Sequence, residues 1–182
     1  MQDTIELNSI SHHFETANER VQLFRDLSCT IHADETLTII GPSGAGKSSL
    51  LSIAAGLEIP ADGNVSFTID GAQVDALTMR ANSGFIFQQC HLMPELDAIG
   101  NLALPLRLTG NRDAFDIAAI WLEKVGLKDR ARHRPHQLSG GEQQRVAVAR
   151  AFVTDPRFIF ADEPTGNLDM HTSESVAGLM FD

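Results

Sequence analysis

One eight-residue stretch constrains the fold of this chain more than any other part of its sequence. It follows the pattern G-x-x-x-x-G-K-[ST], and its residues are Gly41, Pro42, Ser43, Gly44, Ala45, Gly46, Lys47 and Ser48. The apolar residues 36–40 before it predict a strand, and residues 47–55 predict a helix that ends at Gly56. A glycine-rich turn between a strand and a helix is the setting in which this pattern binds phosphate.

The chemistry of this turn predicts a nucleotide phosphate site. Its glycines let backbone N–H groups curve around an anion, and the N-terminus of the following helix adds positive potential. Lys47 can reach the terminal phosphates, Ser48 offers an oxygen to Mg²⁺, and Ser49 completes the first helical turn. An ordinary glycine turn is the alternative, but a chance match is on the order of one in a hundred or less for a chain of this size.

Composition narrows the class of protein. The 182 residues, 43% of them apolar, are enough for one well-packed domain with a small satellite subdomain. A net charge of −10 argues against sequence-independent binding of nucleic acid, because such binding needs a basic face on the protein. The sequence shows no secretion-type leader and no run of roughly 18 apolar residues, so we expect any membrane role to require a partner protein.

The cysteines and histidines lack the spacing of a metal site. Cys29 and Cys90 are isolated from each other, which fits a reducing compartment. The pairs His12-His13 and His133/His136 have no suitably spaced companions, and the second pair lies in an arginine-rich loop, so a solvated surface position is expected. Trp121 is expected in the core.

Apolar periodicity predicts an α/β fold that opens with two antiparallel strands, at residues 5–10 and 23–31, joined by a polar turn at 15–20. The other predicted strands are at residues 65–69, 85–87 and 158–161, and the other predicted helices are at residues 97–125, 141–153 and near 172–180. Pro105 is expected to kink or split the first of these helical regions, whose second part ends at Gly126. The alternation of strands and helices favours a mostly parallel sheet.

Two adjacent carboxylates end the apolar segment 158–161. Ligands of open α/β sheets bind at the carboxyl ends of the strands, so Asp162 and Glu163 are expected near the phosphates. Asp162 suits a Mg²⁺ ligand, and Glu163 suits the group that orients or deprotonates the attacking water. Without the phosphate loop, a solvated turn would be the better interpretation of this acidic pair.

A second glycine-containing helix start lies at residues 138–142. Ser139 and Glu142 fit the capping box S-x-x-E, which is a purely structural account of those two residues. The capping box does not explain Gly140 and Gly141, because each glycine in a first turn lowers the stability of the helix by up to about 1 kcal/mol relative to alanine. The pair therefore suggests close backbone approach to another group, with a second phosphate as the physical interpretation.

Four motifs occur together: the phosphate loop, residues 138–145 (LSGGEQQR), Asp162-Glu163-Pro164-Thr165 and Gly166-Asn167-Leu168-Asp169. Together they resemble the ATP-binding cassette ATPases over essentially the whole chain. The resemblance implies a P-loop NTPase (RecA-like) core with an antiparallel β subdomain and an α-helical subdomain. It implies one domain, 1–182, with its core at 1–88 and 156–182 and the helical subdomain at 89–155. Phe87-Gln88-Gln89 and His91-Leu92-Met93-Pro94 look closest to the lipoprotein-release and macrolide-export ATPases of this family.

The resemblance also implies a site shared by two chains. Ser139, Gly141 and Glu142 of one subunit would face the ATP that the phosphate loop of the other holds, and Asp169 would lie across that interface. Gln88 would contact Mg²⁺ and the attacking water, and residues 89–100 would touch the membrane partner. Phe14 would stack on adenine, although a strand-end aromatic packed on the core is the alternative.

The activity implied by the resemblance is hydrolysis of ATP with Mg²⁺, by a homodimer or a pair of related subunits that energises a separate transmembrane permease. The chain would then lie in the cytoplasm, on the inner face of the cell membrane. A cassette ATPase of DNA repair is disfavoured, because Gln88 and Ser139 are only about 50 residues apart and no coiled coil or zinc module separates them. A regulatory or mechanical module on a membrane protein stays open.

The sequence departs from the family pattern at its end. Family members carry a further strand that ends in a histidine contacting the γ-phosphate, whereas this sequence stops at Asp182. His171 follows Asp169 too closely to replace that histidine. We therefore expect a truncated chain, without its C-terminal strands, that binds MgATP and hydrolyses it poorly.

Overall fold

The computed structural model describes residues 3–15, 20–165 and 178. The chain divides into two compact units, Met1–Ser83 and Gly84–Asp182. Most of the predicted turn at residues 15–20 lies outside the described residues, and so does nearly all of the predicted closing helix near 172–180. The division into a core at 1–88 and 156–182 and a helical subdomain at 89–155 stays a prediction.

A four-stranded antiparallel sheet organises the first unit. Its strands are β1 (Thr4–Glu15), β2 (Arg20–His32), β3 (Asp62–Ile69) and β4 (Ala72–Val74), in the order β2-β1-β3-β4. Ile5 and Leu7 are buried two residues apart, and a register shift after Leu7 brings Ile10 to the buried side as well. The predicted antiparallel opening is confirmed, as are the strands predicted at 23–31 and 65–69.

Two short helices accompany this sheet in the described residues of the first unit. α1 (Lys47–Ala54) matches the predicted helix, and Gly56 follows it with a φ of 67°, as expected of a helix stop. α2 (Ala76–Ala81) is absent from the sequence-based prediction, although the carboxylate of Asp75 caps it by accepting a hydrogen bond from the backbone N–H of Thr78 at 2.8 Å.

The strand predicted at residues 36–40 is wrong, because the structure assigns no strand to these described residues. Leu37 is 53% exposed and Ile40 is 91% exposed. A strand requires a hydrogen-bonded neighbour, whereas apolar sequence reports only a preference for burial. The prediction of a mostly parallel sheet fails too, since the larger sheet among the described residues is antiparallel.

In its described residues, the second unit combines three long helices with a two-stranded sheet. The helices are α3 (Ala98–Leu108), α4 (Ala114–Lys124) and α5 (Gly140–Phe152), and the strands are β5 (Ser83–Ile86) and β6 (Phe158–Ala161). Short 3₁₀ turns, Lys128–Arg130 and Pro135–Gln137, connect α4 to α5. A core cluster joins the three helices through Leu102, Leu106, Ala118, Leu122, Val146 and Ala149. The half-buried Trp121, expected in the core, packs against this cluster.

α5 lies close against β5. A side chain at Gly84 would collide with the backbone carbonyl of Ala151, so only glycine fits at this crossing. Val148 and Ala151 of α5 are buried together with Ile86 of β5. One helix is therefore packed both against the helical core cluster and against the strands.

Pro105 does not split α3, which runs from Ala98 to Leu108 through it. An interior proline removes one helical hydrogen bond and costs about 3 kcal/mol. Leu102 and Leu106, on either side of Pro105, are both buried in the helical core cluster. Tertiary packing therefore overrides the local cost that the sequence-based prediction relied on.

Asn101 is a fully buried polar residue of α3 that the sequence analysis did not single out. Its Oδ1 accepts from the backbone N–H of Met93 at 2.7 Å. Its Nδ2 lies within donating distance of the carbonyl oxygens of Met93 (3.1 Å), Asp97 (3.1 Å) and Leu96 (3.3 Å). One amide thus satisfies the backbone of the segment that enters α3.

Replacing Asn101 with alanine should lower the free energy of unfolding by about 2 kcal/mol, because the hydrogen bonds between its buried amide and the backbone of residues 93–97 are lost. Urea denaturation followed by circular dichroism measures this. Asn111→Ala is the matched control, since Asn111 is exposed and accepts one hydrogen bond from the N–H of Asp113. Equal effects of the two substitutions would contradict the assigned role of Asn101.

Candidate functional site

The predicted phosphate loop precedes and begins α1. Its residues Gly41, Pro42, Ser43, Gly44, Ala45 and Gly46 form the turn, and Lys47, Ser48 and Ser49 form the first helical turn. Gly46 is the N-cap in a left-handed conformation (φ 85°), and a Cβ there would also lie 2.9 Å from the Cβ of Leu23. Glycine is therefore required at this position twice over, by backbone conformation and by space.

Lys47 folds back over the loop. Its Nζ donates hydrogen bonds to the carbonyl oxygens of Gly41 at 3.1 Å and Pro42 at 3.0 Å. The described residues provide no side-chain cap for the N-terminus of α1. The first N–H groups of the helix and the ammonium group thus lie where an anion would satisfy them.

Phe14, the predicted adenine contact, lies near the end of β1 opposite Val21. Phe14 is 49% exposed, and its ring packs edge-on against the ring of His12 at 5.7 Å. This exposure argues against the alternative of a core aromatic and is compatible with stacking on a base.

His12 is a buried residue, unlike the surface histidines expected from the sequence. Its imidazole stacks on the ring of Phe24 at 6.0 Å, and its Nε2 lies 2.9 Å from Oε1 of Glu58. That approach is not aligned as a hydrogen bond, since Nε2 is without a hydrogen-bond partner in the described structure. His12 therefore packs as an aromatic residue beside Phe14.

Ser139 and Glu142 form the capping box predicted at the start of α5. The backbone N–H of Glu142 donates to Oγ of Ser139 at 3.3 Å, and the backbone N–H of Ser139 donates to Oε2 of Glu142 at 2.7 Å. Nε of Arg130 donates to Oε1 of Glu142 at 3.2 Å. The Ser139 backbone N–H, with help from Arg130, holds the pKa of the Glu142 carboxyl below its usual value, so this carboxylate stays ionised.

The capping box does not account for the glycine at position 140. A Cβ built on Gly140 would meet no other atom within 4 Å among the described residues. Packing within the described chain therefore does not demand glycine at this position. The open space leaves room for the approach of a group from another molecule.

The two predicted carboxylates and Gln88 leave the sheet at the same edge. β6 ends at Ala161, and the backbone N–H of the next residue, Asp162, donates to the carbonyl of Ile86 at 2.9 Å. Ile86 is the last residue of β5, so Gln88 follows two residues later. Glu163 is exposed and has a φ of 45°, a left-handed conformation that costs of order 1–3 kcal/mol for a residue other than glycine.

Two buried or half-buried polar side chains of α5 hold these segments, and the sequence analysis gave neither a role. Nε2 of Gln144 donates to the carbonyl of Pro164 at 2.7 Å, and the thiol of Cys90 donates to its Oε1 at 2.9 Å. The guanidinium of Arg150 donates to the carbonyls of Cys90 at 2.9 Å and His91 at 2.8 Å. A polar residue within the apolar face of a helix was the available sequence signal for Gln144.

A pocket of about 420 Å³ adjoins the first turn of α5. It is lined by Gln88, Gln89, Cys90, His91, Leu92, Pro135, Gly140, Gln143 and Gln144. Side-chain amides are prominent in this lining, and the open face of Gly140 lies among them. The pocket thus joins the predicted water-contacting residue to the predicted second phosphate site within one unit.

Some sequence predictions lie beyond what the structure describes. Asp169, predicted to lie across a subunit interface, is outside the described residues. Within residues 3–15, 20–165 and 178, no group of three or more His, Cys, Asp or Glu side chains is arranged to hold a metal ion. Across the same residues, the structure has no helix whose length and apolar character would let it cross a membrane.

Comparison with known proteins identifies the family. The pattern of the family described as ABC transporter matches residues 24–166. The lipoprotein-releasing system ATP-binding protein LolD of Hyphomonas neptunium is 42% identical, and the match covers 100% of this chain and 82% of that protein. LolD of Koribacter versatilis is 45% identical, with 92% of this chain and 78% of that protein covered.

Two further similarities extend this result. The macrolide export ATP-binding/permease protein MacB of Bdellovibrio bacteriovorus is 37% identical, over 97% of this chain and 28% of that protein. The structure resembles the dimeric post-hydrolysis state of the ATP-binding cassette MJ0796 bound to ADP and Pi, with a TM-score of 0.85 and 34% identity over 97% of this chain and 81% of that chain. This chain belongs to the ABC transporter family, as an ATP-binding cassette ATPase similar to those of the lipoprotein-release and macrolide-export type.

Proposed function

We propose that this chain binds MgATP, closes onto a second cassette and drives a separate transmembrane permease of an export system. The observation that carries the proposal is the shared edge at which β5 and β6 end. It places Gln88 and the Asp162-Glu163 pair on neighbouring segments, and Gln88 lines a pocket together with Gly140 of the first turn of α5. These are the groups that hydrolysis of a bound nucleotide requires.

The phosphate loop would hold the nucleotide in this mechanism. The N–H groups of the turn and of the first turn of α1 would surround the phosphates, with Lys47 moving from the loop carbonyls to the terminal phosphates. Phe14, which is half exposed, would stack on the base. Binding would therefore depend on the first unit.

A magnesium ion would be held by the oxygen donors predicted for it. Ser48, Gln88 and Asp162 offer hydroxyl, amide and carboxylate oxygens, which Mg²⁺ prefers over nitrogen or sulfur. When bound, the ion would neutralise charge on the phosphates. Glu163 would orient the attacking water and accept its proton, with Gln88 as the second polar contact of that water.

A second subunit would complete the site. Ser139, Gly141 and Glu142 would approach the ATP of the partner, and Asp169 would contribute from the same interface. Support comes from the open face of Gly140, and from the resemblance to a cassette that is dimeric with ADP and Pi. Because each chain would donate the same surface, the interface would be isologous.

The membrane partner is proposed from the relatives. LolD is named for a lipoprotein-releasing system, and MacB is named as both an ATP-binding and a permease protein. We therefore place this chain on the cytoplasmic face of the cell membrane, with residues 89–100 against a permease. Co-expression with a candidate permease should give a complex that moves substrate into vesicles on addition of MgATP. A complex that forms without moving any substrate would favour the regulatory alternative.

Glu163→Gln should lower the rate of ATP hydrolysis about 100-fold or more, because the amide cannot accept the proton of the attacking water. Binding of MgATP, measured by calorimetry, should persist. Glu123→Gln is the matched control, since Glu123 is an exposed residue paired with Lys128 and should leave turnover unchanged. Wild-type turnover in Glu163→Gln would refute the role assigned to Glu163.

The Glu163→Gln chain should form a dimer when MgATP is added, because nucleotide remains bound between the subunits. Light scattering after size-exclusion chromatography measures the mass. Adding Ser139→Ala should weaken this dimer about tenfold, since one hydrogen bond to a charged phosphate is lost. Asp75→Ala removes a cap of the same kind from α2, and it should leave dimerisation intact. A monomer under all conditions would exclude the sandwiched dimer.

A further inference from the structure

Gln144 connects two segments that carry predicted reaction groups. It is only 4% exposed, and both ends of its amide are engaged: Oε1 accepts from the thiol of Cys90 at 2.9 Å, and Nε2 donates to the carbonyl of Pro164 at 2.7 Å. Cys90 lies two residues after Gln88, and Pro164 lies one residue after Glu163. A single side chain therefore spans the distance between the two segments.

The two segments are strained in the same way. His91 has a φ of 43° and Glu163 a φ of 45°, so each segment contains a left-handed residue that is not glycine. Such conformations persist only where the surroundings fix them. The guanidinium of Arg150 fixes the first segment through the carbonyls of Cys90 and His91, and the amide of Gln144 contacts both segments.

We propose that Gln144 is a positioning residue for ATP hydrolysis, which sets the placement of Gln88 relative to Glu163. This inference rests on the proposed function, in which these two side chains contact the attacking water. Because Gln144 lies two residues after Glu142 on α5, it also links the helix turn that would meet the partner's ATP to the groups that would act on water. Gln144 would thereby couple the subunit interface to the residues that act on the attacking water.

The test uses two substitutions of similar size to glutamine. Gln144→Glu keeps an acceptor for Cys90 but, when ionised, cannot donate to Pro164, and Gln144→Met removes both hydrogen bonds. Each should lower kcat about 10- to 100-fold, because small displacements of reacting groups have effects of this size. KM for ATP should stay within about twofold of the wild type, since the phosphate loop is unchanged.

Hydrogen exchange provides a readout that does not depend on turnover. Backbone amides in peptides covering residues 88–94 and 160–165 should exchange faster in both variants. Leu122→Ala is the control: Leu122 lies on α4 and is buried in the helical core cluster, so its truncation should lower the melting temperature while kcat below that temperature is unchanged. A purely structural Gln144 would behave in the same way as this control.

Two outcomes would overturn the inference: wild-type kcat in both Gln144 variants, or unchanged exchange in both segments. Absence of ATP turnover in the wild-type chain would instead contradict the proposed hydrolysis, and it is visible before any variant is made. In that case the positioning role of Gln144 in hydrolysis is contradicted as well, and hydrogen exchange alone decides whether Gln144 holds the two segments.

Discussion

The packing of α5 is the constraint on which the rest of the second unit depends. Val146 and Ala149 are buried in the helical core cluster, while Val148 and Ala151 are buried with Ile86 of β5. Gly84 lets the backbones of β5 and α5 approach closely. Since a helix that is apolar on two sides cannot rotate without exposing one of them, its N-terminus and its polar side chains are held in fixed directions.

This fixed orientation gives one helix several functions. Its first turn presents the capping box of Ser139 and Glu142 with the open face of Gly140, and the next turn carries Gln144 toward the ends of the two strands. Arg130 offsets the charge of Glu142 from outside the helix. The helix terminus can therefore keep a capping carboxylate and still be compatible with an approaching phosphate.

Strain accompanies the site. His91 and Glu163 adopt left-handed backbone conformations. The carbonyl of His91 accepts a hydrogen bond from Arg150 of α5, and the carbonyl of Pro164, next to Glu163, accepts one from Gln144 of α5. The phosphate loop shows the opposite solution, because its left-handed positions at Gly44 and Gly46 are glycines and carry little strain. The loop that would bind the nucleotide thus uses glycines, which adopt left-handed conformations at little cost. The segments whose groups would act on water use other residues, which tertiary contacts hold in these conformations.

The sequence by itself determined the phosphate loop, the capping box, the antiparallel opening and the bounds of β6, because each depends on a local pattern of a few residues. The resemblance to cassette ATPases rested on the same local motifs and was confirmed by comparison with known proteins. Only the tertiary structure decided that residues 36–40 form no strand, that α3 continues through Pro105, and that His12 is buried. It alone revealed that the side chains of Asn101, Gln144 and Arg150 hold backbone segments in place through hydrogen bonds. Their partners lie up to 60 residues away in the sequence, and no local pattern specifies which backbone carbonyl a buried amide or guanidinium will meet.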